Sequence, residues 1–117
     1  MEEGDPEEAR NTLEPLADDL DDPLGLDGAF LLGHAYEAQE QWGDAEALYL
    51  RLHEEAPLRF QRREALEAAA RVRVEQNHYA GAVELYERVL ELLDADDPRR
   101  GRIQMQLAEA RARAEGS

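Results

Sequence analysis

The sequence of 117 residues predicts a single all-α domain of about six helices packed as antiparallel pairs. Alanine and leucine dominate its apolar residues while valine and isoleucine are scarce, and this balance favours helices over strands. Four of the five prolines fall between segments whose apolar residues recur at helical spacing. Because the turns between these segments are short, each helix must run antiparallel to its neighbour.

The first predicted helix covers roughly residues 6–20, with Pro6 at its first position and Asp5 as its N-cap. Pro15 is expected to kink or shorten this helix, because proline removes a backbone donor and clashes with the preceding turn. The apolar stripe consists of Ala9, Leu13, Leu16 and Leu20.

The second predicted helix spans about 26–40 and the third about 43–56, which ends before Pro57. Residues 24–28 have neither the spacing nor the lysine of a phosphate-binding loop, so we expect a turn that joins repeats there. At helical spacing the two helices carry, in order, Phe30, Gly33, Ala35 and Tyr36, then Ala45, Leu48, Tyr49 and Leu52.

The last three predicted helices cover about 59–76, 79–93 and 98–114. Their apolar stripes are Phe60, Leu66, Ala69, Ala70 and Val74, then Ala82, Leu85, Tyr86 and Val89, then Ile103, Leu107, Ala108 and Ala112. Small residues at matched positions would let the helices approach closely. These are Gly33, Ala45, Ala70, Ala82 and Ala108.

The chain is also self-similar, because the alanines Ala9, Ala45 and Ala82 occupy corresponding places 36 and 37 residues apart. That spacing is typical of two-helix solenoid repeats. The aromatic side chains are spaced so that they fall between helices, which favours core packing over the stacking of a ligand. They are Trp42, Tyr36, Tyr49, Tyr79 and Tyr86.

The run Leu32-Gly33-x-x-Tyr36, then Trp42-x-x-Ala45-x-x-x-Tyr49-x-x-Leu52, then Pro57, resembles a tetratricopeptide repeat (TPR). The next unit keeps Leu66, Ala70, Tyr79, Ala82, Tyr86 and Val89. It departs from the pattern at Arg73, where an aromatic residue is usual, and Pro98 arrives several residues late.

The resemblance implies a right-handed solenoid of antiparallel helix pairs. Residues 26–59 are one unit and 60–97 a slightly lengthened second unit. Residues 1–25 resemble the second helix of an incomplete repeat plus a turn, and 98–117 a capping helix or the first helix of a further repeat. Since stacked repeats bury their faces against neighbours, we expect the chain to be a piece of a longer array or its first helix to pair with something else.

The net charge of −15 argues against direct binding to nucleic acid or to an anionic membrane, because both need a basic protein face. All the basic residues are arginines, and the charge excess falls in residues 1–58, which hold 17 carboxylates and 2 arginines. A basic partner is the natural expectation, and a merely solvated or salt-adapted acidic surface is the alternative. No signal-peptide pattern opens the chain, so we expect a soluble protein of the cytoplasm.

No catalytic, cofactor or metal site is expected, so the chain is interpreted as a non-enzymatic protein. The three histidines, at 34, 53 and 78, have no metal-ligand spacing, and the chain has no cysteine. The acidic run over 18–22 lacks the central glycine and terminal glutamate of an EF-hand loop. Abundant carboxylates will pair by chance at glycosidase-like separations, so such pairs do not indicate hydrolysis.

The resemblance implies that the first helix of each pair lines a concave groove in which a partner peptide docks. The expected groove residues are Asp27, Phe30, His34, Glu37, Glu64, Glu67, Arg71, Glu75, Arg102, Met105, Glu109 and Arg113. Family members that hold a chaperone's C-terminal carboxylate have lysine and asparagine where Phe30 and His34 stand, so that activity is not implied.

The groove is thus expected to be acidic at one end and to contain arginine at the other. Arginine- or lysine-rich peptides should bind more tightly than acidic ones, and reversing the charges of Asp27 and Glu37 should abolish the difference. The second functional hypothesis is self-assembly, in which open solenoid ends stack between copies of the chain into homo-oligomers.

Overall fold

A computed structural model of the protein describes residues 23–116, and within this range it contains five α-helices and no strand. The helices are α1 (Pro23–Ala38), α2 (Trp42–Glu55), α3 (Arg59–Glu75), α4 (Tyr79–Leu92) and α5 (Arg99–Gly116). The all-α class is therefore confirmed. The first predicted helix, over 6–20, lies outside the described residues.

The helices stack in chain order. The extensive contacts join α1 to α2, α2 to α3, α3 to α4 and α4 to α5. The connections from α1 to α2, from α2 to α3 and from α3 to α4 each contain three residues. Such short connections leave room only for a tight reversal of direction. The result is a row of helices in which each one buries its apolar stripe against its sequence neighbours, as in a helical solenoid.

The backbone repeats itself at the ends of α1 and α3. Glu40 and Asn77, 37 residues apart, both adopt the left-handed conformation, with φ of 58° and 63°. After α1 the N–H of Gln41 donates to the carbonyl of Tyr36 at 2.8 Å, and after α3 the N–H of His78 donates to the carbonyl of Arg73 at 2.8 Å. Both are Schellman-type ends, which satisfy the last helical carbonyls and turn the chain into the next helix.

The start of α1 differs from the sequence prediction. The turn expected over residues 24–28 is wrong, because these residues are helical and α1 begins at Pro23. Proline is well suited to a first helical position, where its missing N–H would have no intrahelical partner. The helix also ends at Ala38, before the predicted residue 40, because Glu40 has a positive φ.

The buried stripes of α2 and α4 match the prediction residue for residue. The buried residues are Ala45, Leu48, Tyr49 and Leu52 in α2, and Ala82, Leu85, Tyr86 and Val89 in α4. These stripes join α1, α3 and α5 in one contiguous hydrophobic cluster. The second helix of each pair is thus the part of the fold that apolar spacing predicts best.

Three residues predicted for the apolar stripes are exposed instead. Phe60 at the start of α3 is 52% exposed, and Ala108 and Ala112 of α5 face solvent. The buried face of α5 is formed by Ile103, Leu107 and Ala110, which follow a spacing of four and three residues. The predicted close approach at Ala108 is therefore wrong, because that side chain lies on a different face from Ile103.

Arg73 takes the place of the usual aromatic residue and connects three helices. Its Nε donates to a carboxylate oxygen of Glu46 on α2 at 3.1 Å, and its Nη1 donates to the carbonyl of Gly81 on α4 at 3.0 Å. The other oxygen of Glu46 accepts from the side-chain amide of Gln76 at 2.8 Å. A polar cluster thereby joins α2, α3 and α4 at this position.

This cluster should contribute measurable coupling energy, because Arg73 and Glu46 are largely shielded from water. In a double-mutant cycle with Arg73→Met and Glu46→Gln, we expect a coupling of about 1 kcal/mol in urea unfolding. The matched cycle at the exposed pair Arg88 and Glu84, 3.1 Å apart on α4, should give less than about 0.5 kcal/mol. Equal couplings in the two cycles would contradict a structural role for Arg73.

Candidate partner-binding groove

The first helices of the successive pairs, α1, α3 and α5, together line a cavity of about 420 Å³, which we call the central groove. Residues from all three helices meet there because α3 lies between the other two. The lining residues are Phe30, His34, Arg63, Glu64, Glu67, Ala68, Arg71, Arg99 and Arg102.

A second cavity of about 180 Å³, the rear pocket, lies between α3, α4 and α5. Its lining consists of Arg71, Val74, Tyr79, Tyr86, Gln106, Glu109, Ala110 and Arg113. Arg71 lines both cavities, so they adjoin one another. The central groove and the rear pocket therefore offer an extended concave surface across α3 and α5.

Most of the groove residues expected from the sequence line one of these cavities. Six line the central groove, namely Phe30, His34, Glu64, Glu67, Arg71 and Arg102. Glu109 and Arg113 line the rear pocket. Asp27, Glu75 and Met105 are exposed and line neither cavity. Glu37 also lines neither, but its carboxylate is bonded to Arg71.

Sequence reasoning missed three residues of the central groove, Arg63, Ala68 and Arg99. Arg63 is the most informative of them, because it is buried although arginine is seldom so. Its position four residues before Glu67 places both on one helical face, and Nη1 of Arg63 donates to Glu67 at 2.9 Å. Opposite charges at that spacing were a signal that could have identified Arg63.

Glu37 is held at the centre of a polar network between α1, α2 and α3. Nη2 of Arg71 donates to both carboxylate oxygens, at 2.8 and 3.1 Å, and the hydroxyl of Tyr49 donates to Oε2 at 2.5 Å. Nδ1 of His34 lies 3.6 Å from the same Oε2. The carboxylate that was expected to meet a basic partner is therefore already engaged within the protein.

The network also changes the acidity of its members. Burial alone raises the pKa of Glu37, but the nearby imidazole of His34, the hydrogen bonds from Tyr49 and Arg71 and the charge of Arg71 outweigh it, so the pKa falls from 4.5 to about 2. Burial and the neighbouring Glu37 raise the pKa of Tyr49 far above its usual value. Glu37 thus stays ionised and Tyr49 stays protonated at neutral pH.

Glu67 of α3 is engaged in a similar way by two arginines. It accepts from Arg63 on its own helix at 2.9 Å and also accepts from Nη1 of Arg102 on α5. The side chain of Glu67 is only 17% exposed, whereas that of Arg102 is 51% exposed. In this part of the groove the carboxylate lies beneath the guanidinium group.

The rear pocket has its own polar contacts. The hydroxyl of Tyr79 donates to Oδ1 of Asn77 at 2.8 Å and accepts from Nη1 of Arg113 at 3.3 Å. The guanidinium carbon of Arg113 also lies 5.6 Å from the centre of the Tyr79 ring. Tyr79 was predicted to pack in the core; it is instead partly exposed at the edge of this pocket.

The part of the chain that the structure describes contains no group of three or more side chains suited to hold a metal ion. The acidic run over residues 18–22 lies outside that part. Among the helices of residues 23–116, none is long and apolar enough to cross a membrane.

The fold and the groove define a helical-repeat protein whose first helices line a concave surface. The family model described as tetratricopeptide repeat matches residues 29–63 and 65–100, more than half of the chain. The chain therefore belongs to the tetratricopeptide repeat family, whose repeats generally mediate interactions between proteins. No curated protein and no solved structure matches the chain.

Proposed function

We propose that this protein is a non-enzymatic interaction module that holds a segment of a partner protein in the central groove. The observation that carries the proposal is the cavity of about 420 Å³ to which α1, α3 and α5 all contribute side chains. Its volume lies within the range of about 300–1,000 Å³ usual for binding pockets. A contiguous concave surface of this kind is what solenoid proteins use for recognition.

The lining of the groove supports recognition of a peptide with mixed chemistry. Phe30 and Ala68 provide apolar contact surface, while half-exposed arginines and Glu64 provide hydrogen-bonding groups. Because Arg71 also lines the rear pocket, a segment that extends beyond the central groove would find a second set of contacts at Tyr79 and Arg113. An extended or helical segment of several residues fits this arrangement.

The basic partner expected from the sequence has less support from the groove than from the net charge. The overall charge of −15 attracts a basic segment at long range. The carboxylates of Glu37 and Glu67, however, are engaged by arginines and are mostly shielded from water. A basic segment would have to compete with these internal cations for both carboxylates.

Groove-dependent peptide selection tests this proposal. A displayed library of random peptides would be selected on the wild-type protein and on the variant Glu64→Trp, which fills the groove from an exposed position. The matched control is Glu84→Trp, a glutamate of α4 that is also exposed and ion-paired but lines neither cavity. Circular dichroism and thermal unfolding would verify that both variants remain folded.

We expect peptides selected on the wild-type protein to bind Glu84→Trp with unchanged affinity and to bind Glu64→Trp at least about tenfold more weakly. The reason is that an indole in the groove occupies the volume that the peptide needs. Failure to enrich any peptide, or equal binding to both variants, would overturn the proposal.

A further inference from the structure

We propose that the central groove recognises an acidic segment of the partner protein, whose side-chain carboxylates are bound by Arg71, Arg99 and Arg102. This inference rests on the proposed function and specifies the chemistry of its partner. The net charge of the chain suggests a basic partner, whereas this inference assigns an acidic one. Its support is the placement of the charged groups within the groove.

The first observation is the composition of the groove lining. Four of its nine residues are arginines, and two are glutamates. Of the two glutamates, Glu67 lies beneath Arg102 and is bonded to Arg63 as well. Its negative charge is thus compensated within the protein, and Glu64 remains as the exposed carboxylate of the lining.

The second observation is the difference in exposure between the two partners of each ion pair. Glu37 is 16% exposed and its partner Arg71 is 47% exposed, and the pair formed by Glu67 and Arg102 has the same asymmetry. Each carboxylate therefore fixes a guanidinium group while leaving part of it open to the groove. A planar guanidinium has five N–H donors, so it can hold one carboxylate and still bind another.

The third observation concerns the hydrogen bonds that hold these side chains and the residues that surround them. Arg71 is restrained by three hydrogen bonds to Glu37, and Arg102 by its bonds to Glu67 and Gln106. Because the arginines are already ordered, less conformational entropy is lost when a carboxylate binds. Phe30 and Ala68 line the groove beside them and provide apolar surface against which the stem of an acidic side chain can pack.

Long-range repulsion by the acidic chain does not prevent this interaction. Near physiological ionic strength the Debye length is about 8 Å, so charges outside the groove are largely screened from a peptide within it. The direct contact with a partly buried guanidinium is screened much less. Contacts inside the groove therefore determine which peptide charge is preferred.

Fluorescence anisotropy with defined peptides tests the inference near physiological ionic strength. The probe is a labelled peptide of about twelve residues in which aspartate and glutamate alternate with leucine and serine. Its N-terminus is acetylated and its C-terminus is amidated, so that all carboxylates belong to side chains. Two matched peptides replace the acidic residues by asparagine and glutamine, or by lysine and arginine.

Two protein variants distinguish the effect of the groove arginines on binding from the effect of the net charge. The double variant Arg99→Gln, Arg102→Gln removes two groove cations but leaves Glu67 bonded to Arg63. The double variant Arg51→Gln, Arg111→Gln removes two exposed, ion-paired arginines that line neither cavity and changes the net charge equally. Circular dichroism and thermal unfolding provide the check that both remain folded.

We expect the acidic peptide to bind the wild-type protein at least about tenfold more tightly than the amide and basic peptides. The groove variant should lose at least about tenfold in affinity for the acidic peptide, and the control variant less than about twofold. Preference for the basic peptide, equal binding of all three peptides, absence of binding, or equal losses in both variants would overturn the inference. This inference can fail while the proposed function holds. If the peptide selection yields neutral or basic peptides whose binding depends on the groove, the proposed function stands and the inference of an acidic partner does not.

Discussion

Replacing Gly33 by alanine is expected to destabilise the protein by about 1–3 kcal/mol, although alanine is the better helix former. Gly33 lies in α1 directly against the ring of Tyr49 on α2. A Cβ atom at this position would lie 2.5 Å from Cε1 and Cζ of the ring, well inside van der Waals contact. Tyr49 is fully buried and its hydroxyl is bonded to Glu37, so the ring cannot move without disturbing the core and the polar network.

Thermal unfolding by circular dichroism measures this effect, since each kcal/mol corresponds to roughly 4–8 °C in Tm for a domain of similar size. The matched control is Gly101→Ala in α5, where the added Cβ meets no atom within 4 Å beyond its chain neighbours and the adjacent backbone of its own helix. That variant should be stabilised by up to about 1 kcal/mol through helix propensity alone. If both alanine variants gained stability, close helix contact at Gly33 would be disproved.

Gly33 also illustrates which features of the fold the sequence predicts. Its place among the small residues at matched positions predicted a close helix approach, and the structure places it against Tyr49. The buried stripes of α2 and α4 were equally predictable. In each helix the apolar residues lie on one face, and this face is covered by the helices before and after it. For these two helices, which pack against a neighbour on either side, local spacing was sufficient.

The terminal helices were predicted less well, for a physical reason. Among the described residues, the extensive contacts of α5 are with α4, so alanines such as Ala108 and Ala112 remain exposed. An alanine has too little apolar surface to indicate which face a helix buries. The exposure of Phe60 at the start of α3 was likewise not predicted by helical spacing.

The charged contacts of the groove depend on the repeat rather than on local spacing. Glu37 and Arg71 are 34 residues apart, and Glu67 and Arg102 are 35 residues apart, so each pair joins first helices of adjacent repeats. The sequence predicted that these four residues share one surface, but it did not predict that they neutralise one another. Opposite charges about one repeat apart are the signal in the sequence that indicates both pairs, and they bear on the expectation that the groove is acidic at one end.

The stability of the protein should fall in acid in a manner that depends on Glu37. The pKa of Glu37 is about 2 in the folded protein, whereas an unfolded chain has the ordinary value of 4.5. The unfolded chain therefore takes up the proton first as the pH decreases. The stabilisation is fully present above about pH 5 and is lost as the pH falls towards 2, with an upper limit of about 3 kcal/mol.

Urea unfolding of the wild-type protein and of Glu37→Gln, at a series of pH values between neutral and about 2, isolates this contribution. At neutral pH the variant should be less stable, because Arg71 and Tyr49 lose the carboxylate that accepts their hydrogen bonds. The difference in unfolding free energy between the two proteins should then shrink as the pH falls, because the wild-type carboxylate becomes protonated.

The matched control for this experiment is Glu84→Gln, which removes an exposed carboxylate paired with Arg88 on a single helix. Exposed pairs at this spacing contribute about 0.3–0.5 kcal/mol, so its difference from the wild type should stay small at every pH. A constant gap between Glu37→Gln and the wild-type protein from neutral to acidic pH would contradict the lowered pKa. It would also mean that Glu37 contributes mainly through its shape, and that Arg71 is not fixed in the groove by a permanently ionised carboxylate.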